Sequence, residues 1–192
     1  QRKQYQIARQ NVQIINRKCH ELKVQIADLR RLQPDEATTQ SLDEAEQAAR
    51  MYDANAATGN EVLDVVLTEK SLLCEAQRIR LNCVADGTCL AAIEPGDLYA
   101  LFSNLLDQAI DAAAQQQNDR RMIDLLVCRR QGFAVINVIG PALSGSQSDH
   151  GRRHSYELKV ARRVVQKYSG TMATEPRGEL FAVKIVMPLT RG

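Results

Sequence analysis

The 192-residue sequence predicts an α+β protein, an N-terminal helical hairpin followed by a sandwich of helices on one face of a mostly antiparallel sheet. Three observations predict it. An unbroken heptad seam occupies residues 5–29, short stretches of period-two alternation recur from residue 79 onward, and amphipathic helical patterns are interleaved with those stretches. Hydrophobic residues at 44% and charged residues at 25% exclude a disordered or fibrous chain. No run approaches the roughly 18 consecutive apolar residues of a membrane-spanning helix. With 25 Lys+Arg against 23 Asp+Glu, the net charge of +2 supplies no general drive toward nucleic acid or an anionic membrane. The chain begins at Gln1 rather than Met, which reads as a piece of something longer, and no secretory signal is visible in it.

The seam consists of Tyr5, Ala8, Val12, Ile15, Cys19, Leu22, Ile26 and Leu29, in alternating steps of 3 and 4. Pro34 breaks that helix. A second helix carries Leu42, Ala45, Ala49, Tyr52 and Ala56, with Ser41 or Asp43 as its cap, and ends near Thr58-Gly59-Asn60. One such hairpin buries too little apolar surface to stand alone, and two of them from two chains make a four-helix bundle. Packing of the hairpin on the rest of the same chain is the alternative.

From residue 60 the texture changes. Residues 61–76 read as a helix with Leu63, Val66, Leu67, Leu73 and Cys74 on one side, and Ile79, Leu81, Cys83 and Ala85 alternate as a strand. Asp86-Gly87 is a turn. Pro95 opens a helix that buries Leu98, Leu101, Phe102, Leu105, Ala109 and Ala112. Strands around 121–128 and 132–139 are split by Gln131-Gly132, and residues 140–154, rich in Gly, Ser and Asp, read as a loop. A helix over 156–168 aligns Leu158, Ala161, Val165 and Tyr168. A strand starts at 171–174, turns at Pro176-Arg177-Gly178, and leads into a last strand where Phe181, Val183, Ile185 and Met187 alternate.

Cys19, Cys74, Cys83, Cys89 and Cys128 are odd in number and form no CxxC, so they read as free buried thiols in a reducing compartment. The three histidines His20, His150 and His154 make no cluster with them at zinc-ligand spacing.

Two places could carry chemistry. His20 lies one step off the seam, so its imidazole is expected at the bundle's outside or edge. An exposed imidazole near its free pKa is a usable nucleophile at neutral pH, and Glu21 beside it could take a proton or fix the tautomer. A solvated histidine beside an acid is the plainer reading. Asn104, Asp107, Gln108 and Asp111 form a polar stripe opposite the Leu101/Leu105/Ala109 face. Such a stripe can hold hydrated Mg²⁺ and the phosphates it carries. An ordinary solvated helix face is again the plainer reading.

At this point the chain resembles the cytoplasmic part of a bacterial sensor histidine kinase with a GHKL-type ATPase domain, in the Gram-positive branch that includes peptide-sensing quorum receptors. Five stretches, in four regions of the chain, carry the resemblance. Cys19-His20-Glu21-Leu22-Lys23-Val24-Gln25-Ile26 is similar to the phosphoacceptor box. Thr58-Gly59-Asn60-Glu61-Val62-Leu63-Asp64 and Leu67-Thr68-Glu69-Lys70 are similar to the segment leading into the ATPase domain. Asn104-Leu105-Leu106-Asp107-Gln108-Ala109-Ile110-Asp111-Ala112 is similar to the N box, and Val165-Gln166-Lys167-Tyr168-Ser169-Gly170-Thr171-Met172 to the close of the last helix.

The resemblance implies a dimerisation and histidine phosphotransfer hairpin over residues 1–58 and a Bergerat-like α/β sandwich over 59–192 that binds Mg-ATP. It implies a catalytic pair, His20 and Glu21, and a nucleotide site of Asn104, Gln108, Asp111 and Lys159, with Gln108 as the metal ligand. It implies a cytoplasmic homodimer that passes a phosphoryl group to an aspartate of a response regulator, with any membrane attachment through a segment outside this chain.

The departures fall on the nucleotide side. Where the family's second N-box asparagine binds Mg²⁺, Gln108 adds a methylene and moves the oxygen by about one bond length. Val138-Ile139-Gly140-Pro141 has no acid for a base contact. The glycine-rich box reads Ser155-Tyr156-Glu157-Leu158-Lys159, with both glycines gone and a carboxylate where phosphate would approach. The loop before it is short, which reduces the lid. The rival expectation is therefore a degenerate relative needing no cofactor, a dimeric scaffold or a phosphoacceptor served by an active partner kinase. The pairs Arg120-Arg121, Arg129-Arg130, Arg152-Arg153 and Arg162-Arg163 read as solvated charge, and no nucleic-acid partner is expected.

Overall fold

The computed structural model describes residues 2–32, 58–117, 120–142 and 149–189. Helix α1 spans Arg2–Leu32, as the seam requires. The second helix of the expected hairpin, around residues 42–56, lies outside the described residues.

Thr58-Gly59-Asn60 sets where the sandwich begins. The Asn60 side chain accepts from the amides of Val62 at 3.1 Å and Leu63 at 3.2 Å, which caps helix α2, Glu61–Ala76. The Thr58 amide and hydroxyl both donate to Asp64 Oδ1, at 2.9 and 2.7 Å. The Gly87 amide then donates to the Thr58 carbonyl at 2.7 Å, tying this start to the far end of strand β1, Arg80–Ala85. A short 3₁₀ turn, Gly87–Leu90, follows with Asp86 as its cap.

Helix α3, Pro95–Ala114, carries Pro at its first turn, where no amide is lost. It crosses from β1 to the parallel strand β2, Met122–Arg130. Gln131 and Gly132 turn at φ 47° and 84°, the paired positive values of a two-residue hairpin, and β3 returns over Phe133–Pro141. Helix α4, Asp149–Lys167, leads to β4, Thr171–Arg177, and β5, Leu180–Pro188. The sheet order is β1-β2-β3-β5-β4, with only the β1–β2 pair parallel.

The expected loop over 140–154 is corrected at both ends. Gly140 and Pro141 pair with Phe181 and Leu180 and so belong to β3, and α4 starts at Asp149 rather than near 156. Its first two turns, Asp-His-Gly-Arg-Arg-His-Ser, hold no apolar residue and so show no helical period in the sequence.

The core forms between the helices and one face of the sheet. Leu63, Val66 and Leu67 from α2 and Leu98, Leu101, Phe102, Leu105, Leu106 and Ile110 from α3 are buried against Ile123, Leu125, Ile136 and Ile185. Each such side chain contributes about 1.5–3 kcal/mol relative to exposure. Leu73, expected on that face, is exposed instead. Lys70 takes a buried place beside Cys74.

Helix α1 packs on α2 and α3 of its own chain. Ala8 and Val12 join the same core, the Tyr5 and Tyr99 rings meet at 5.9 Å, and Arg9 bridges to Glu61 at 2.5 Å. The seam is not evenly covered, since Ile26 is buried while Leu22 is 49% exposed. Among the described cysteines, Cys74 and Cys89 are buried and Cys128 is half-buried. Cys83 corrects the expectation of buried thiols, because it sits exposed on the edge strand.

A Cβ at Gly87 would stand 2.5 Å from Thr58 Oγ1 and 2.7 Å from Asn60 Cβ. Gly87→Ala is expected to destabilise the chain by about 1–3 kcal/mol in urea unfolding, by forcing the Thr58–Asn60 start away from β1. An unchanged midpoint would contradict that role.

Candidate functional site

Helix α3 is the middle helix of its layer. Beneath it lies the sheet, α2 and α4 flank it, and α1 crosses it. Its polar residues therefore do not form the solvated stripe that spacing suggested. Gln108 is only 7% exposed, as buried as its apolar neighbours, and Asn104, Asp107 and Asp111 are half-buried. The Asn104 amide nitrogen is turned onto its own helix and donates to the Ala100 carbonyl at 2.6 Å.

The charge at the centre of this layer is Lys70 on α2. Its side chain is 7% exposed, and its ammonium meets Asp107 at 2.8 Å and Glu69 at 3.2 Å. Burial works against the ammonium, but the hydrogen bond and charge of Asp107, with Glu69 behind it, more than offset it, so the Lys70 pKa stands above its ordinary value. Tyr99 extends the network by donating to Glu69 Oε2 at 3.1 Å. Cys74, one turn along α2, has its thiol pushed up to about 11 by burial, partly countered by the Lys70 charge, and is inert as a nucleophile.

A cleft of about 850 Å³ lies between α1 and this network. Ala8, Val12 and Ile15 of α1 face Tyr99, Ser103, Asn104 and Asp107 of α3 across it. Of the expected nucleotide residues only Asn104 lines it. Gln108 and Asp111 follow on α3, and Lys159 is exposed on α4. Residues 155–159 fall in the interior of α4, six or more residues past its first. There the backbone amides bond to carbonyls four residues back, so they are not open to a phosphate as they are at a helix start. At the other expected contact, Gly140 and Pro141 are buried in sheet pairing.

His20 lies in mid-α1, five residues past Ile15 and so about 7.5 Å further along the axis. Glu21 is exposed and bonded to Lys18 at 2.7 Å, with Arg17 at 4.0 Å. The Lys18 hydrogen bond and charge, helped by Arg17, hold its carboxyl below the usual range. That makes it a weaker proton acceptor than a free glutamate. Among the described residues no group of three or more His, Cys, Asp and Glu is placed to hold a metal ion, and no helix is long and apolar enough to cross a membrane.

Sequence reasoning named Lys70 only within a family stretch and did not reach Tyr99 or Ser103. One signal was present: Lys70 falls in line with Leu63, Val66, Leu67 and Cys74, and a lysine at a core position must find a carboxylate.

A five-stranded mixed sheet with helices on one face and a central helix bearing the Asn104–Asp111 stripe defines a GHKL-type ATPase fold. The sequence model of the GHKL domain matches residues 93–188, half of the chain, and the chain belongs to that family. Among solved structures it is similar to the nucleotide-free catalytic domain of the histidine kinase ThkA, with TM-score 0.54 and 16% identity, covering 69% of this chain and 93% of that one. A second nucleotide-free form of that domain, with isopropanol, aligns at TM-score 0.53 and 15% identity over 69% and 94% of the two chains. Histidine kinase AdeS of Acinetobacter baumannii follows at TM-score 0.49 and 12% identity over 82% and 87%. No curated protein sequence matches the chain. At 15–16% identity the likeness to the ThkA domain establishes the fold alone, that of a histidine kinase catalytic domain.

The Lys70–Asp107 pair makes a measurable prediction. Lys70→Met is expected to cost about 2 kcal/mol of stability. With Asp107→Asn it should show a coupling of at least about 1 kcal/mol in a double-mutant cycle, and simple additivity would refute the pairing. Because the folded pKa of Lys70 is raised, its contribution is fully present below the ordinary lysine value of 10.5 and is lost as pH rises through the higher folded value. The alkaline fall in stability should therefore be shallower in Lys70→Met.

Proposed function

We propose that this chain is the phosphotransfer and GHKL module of a two-component sensor histidine kinase, with residues 1–58 as a homodimerising hairpin, residues 59–192 as the GHKL domain, and His20 as the phosphoacceptor. The observation that carries this reading is the continuity of the His20-bearing helix with the GHKL fold, since Ala8 and Val12 of α1 share the core of α2 and α3. A phosphoryl group on an imidazole nitrogen of His20 would pass to a carboxylate oxygen of a response-regulator aspartate. The N–P bond breaks as the O–P bond forms, and the imidazole keeps the electron pair. Glu21, held ionised by Lys18, would orient the ring more than take its proton. The reading places the module in the cytoplasm.

A second reading has its own support. The interior position of residues 155–159 in α4, the burial of Gln108 and the pairing of Gly140-Pro141 each oppose the binding of Mg-ATP by this chain. In that reading the phosphoryl on His20 comes from an active partner kinase, and the GHKL domain is a scaffold. The kinase reading keeps Asn104, Gln108, Asp111 and Lys159 as a weak nucleotide site with Gln108 at the metal.

Calorimetric titration with Mg-ATP separates the two. A self-sufficient kinase binds it, gains about 2.7 kcal/mol of stability at one hundred times the dissociation constant, and labels itself from γ-labelled ATP. The scaffold shows neither and is labelled only when an active histidine kinase is added. In both cases His20→Ala should abolish the label, and a label that survives that substitution would rule out His20 as the acceptor.

A further inference from the structure

Strand β1 is one edge of the sheet, and its free side has the pattern of a pairing surface. Two bonds set the phase of its ladder with β2. The Arg80 amide donates to the Arg121 carbonyl and the Asp86 amide to the Val127 carbonyl, each at 2.8 Å. In a parallel pair alternate residues turn both backbone groups to the same neighbour, so in this register Arg80, Asn82 and Val84 serve β2. Leu81, Cys83 and Ala85 turn theirs the other way, where no strand lies and where nothing among the described residues bonds to them. The open stretch is closed off at both ends. The Ile79 amide donates to the Cys74 carbonyl at 2.8 Å, and the Gly87 amide to the Thr58 carbonyl at 2.7 Å.

The two edges of the sheet differ. β4 carries Pro176, and its Glu175 is bridged to Arg177 at 3.0 Å and to Lys184 at 3.1 Å, features that discourage a further strand. β1 has no proline, and it exposes Cys83 and, at 69%, Val84. Its one charged residue, Arg80, is exposed and has no ion pair among the described residues.

The occupant follows from symmetry. The open groups are centred on Cys83, so a second copy of β1 running antiparallel offers the same set in reverse. Leu81 then meets Ala85 of the other copy and Cys83 meets Cys83, each pair exchanging two backbone bonds. Asp86 continues the strand, with φ −98° and ψ 92°. In this register it falls opposite Arg80 of the other copy, and symmetry repeats that opposite-charge pair at the other end. A register centred on Asn82 would need the Ile79 amide, which is already used, and would set Arg80 against Val84.

We propose that β1 pairs antiparallel with β1 of a second copy, in the register centred on Cys83, and so joins two five-stranded sheets edge to edge. A six-residue edge falls short of the roughly 1,200–2,000 Å² of a standard interface, so the pairing is weak alone and forms at high local concentration, as between chains held together elsewhere. It stands on the sheet and not on the phosphotransfer reading.

The test is residue-resolved amide exchange by NMR on the whole chain, at about 10 μM and at about 1 mM, the latter being the effective concentration of tethered partners. Leu81, Cys83 and Ala85 are expected to exchange at least about tenfold more slowly at the higher concentration. Cys83→Pro removes the central donor without touching a bond to β2, and should return Leu81 and Ala85 to the exchange of an open edge. Arg80→Glu sets like charges opposite Asp86 and should weaken the pairing about fivefold or more. Circular dichroism checks that both variants are folded. Protection already present at the lower concentration but lost in the folded variants also supports the pairing, between chains tethered elsewhere. Open exchange of the three amides at both concentrations, or parental protection in either folded variant, overturns the proposal. The measurement needs neither His20 nor a nucleotide, so its failure leaves the phosphotransfer reading standing.

Discussion

Helix α3 is covered by the sheet beneath it, by α2 and α4 at its flanks and by α1 across it, and that enclosure governs what its polar residues can do. Leu98, Leu101, Phe102, Leu105, Leu106 and Ile110 are almost wholly withdrawn from water. A helix so surrounded leaves no side on which polar groups are freely solvated. Asp107 must then be neutralised from a neighbouring helix, and Lys70 on α2 does it from a buried position. The same pair fastens α2 to α3 at the depth where α1 lies over them. Packing and charge are thus coupled at one place, beside Asn104, Ser103 and Tyr99.

The frame around that helix is that of the GHKL family. In α4 residues 155–159 are helix interior, with their amides turned inward to the helix ladder. In β3 Gly140 and Pro141 are paired to β5. On α3 the amide expected at the metal is buried as Gln108. Around position 20, α1 is an uninterrupted helix, with the Lys18–Glu21 pair beside it.

Much of this architecture was legible from residue patterns, and the failures have particular causes. Helices α2 and α3 were readable because Leu63/Val66/Leu67 and Leu98/Leu101/Phe102/Leu105 repeat at helical spacing over a one-sided core. Strands β2, β3 and β5 were readable because their alternate residues face the helices and Gln131-Gly132 marks the turn. The start of α4 was not, since its first two turns are polar throughout and carry no period. The end of β3 was misread for the opposite reason: glycine and proline suggested a loop, but an adjacent strand pairs with them. In the candidate site, spacing placed Asn104, Asp107, Gln108 and Asp111 on one helix correctly, while the surroundings that bury them lie far away in sequence.

By itself, then, the order of residues determined helices α1, α2 and α3, strands β2, β3 and β5 apart from the end of β3, the sandwich class and the position of His20 on a long amphipathic helix, because these depend on local periodicity and on chain-neighbour chemistry. Only the tertiary structure decided that α3 is enclosed, that Lys70 neutralises Asp107, and that α1 spends Tyr5, Ala8 and Val12 on its own chain. Those outcomes turn on which surfaces meet across long sequence separations, and burial and charge compensation are properties of that meeting rather than of any single stretch.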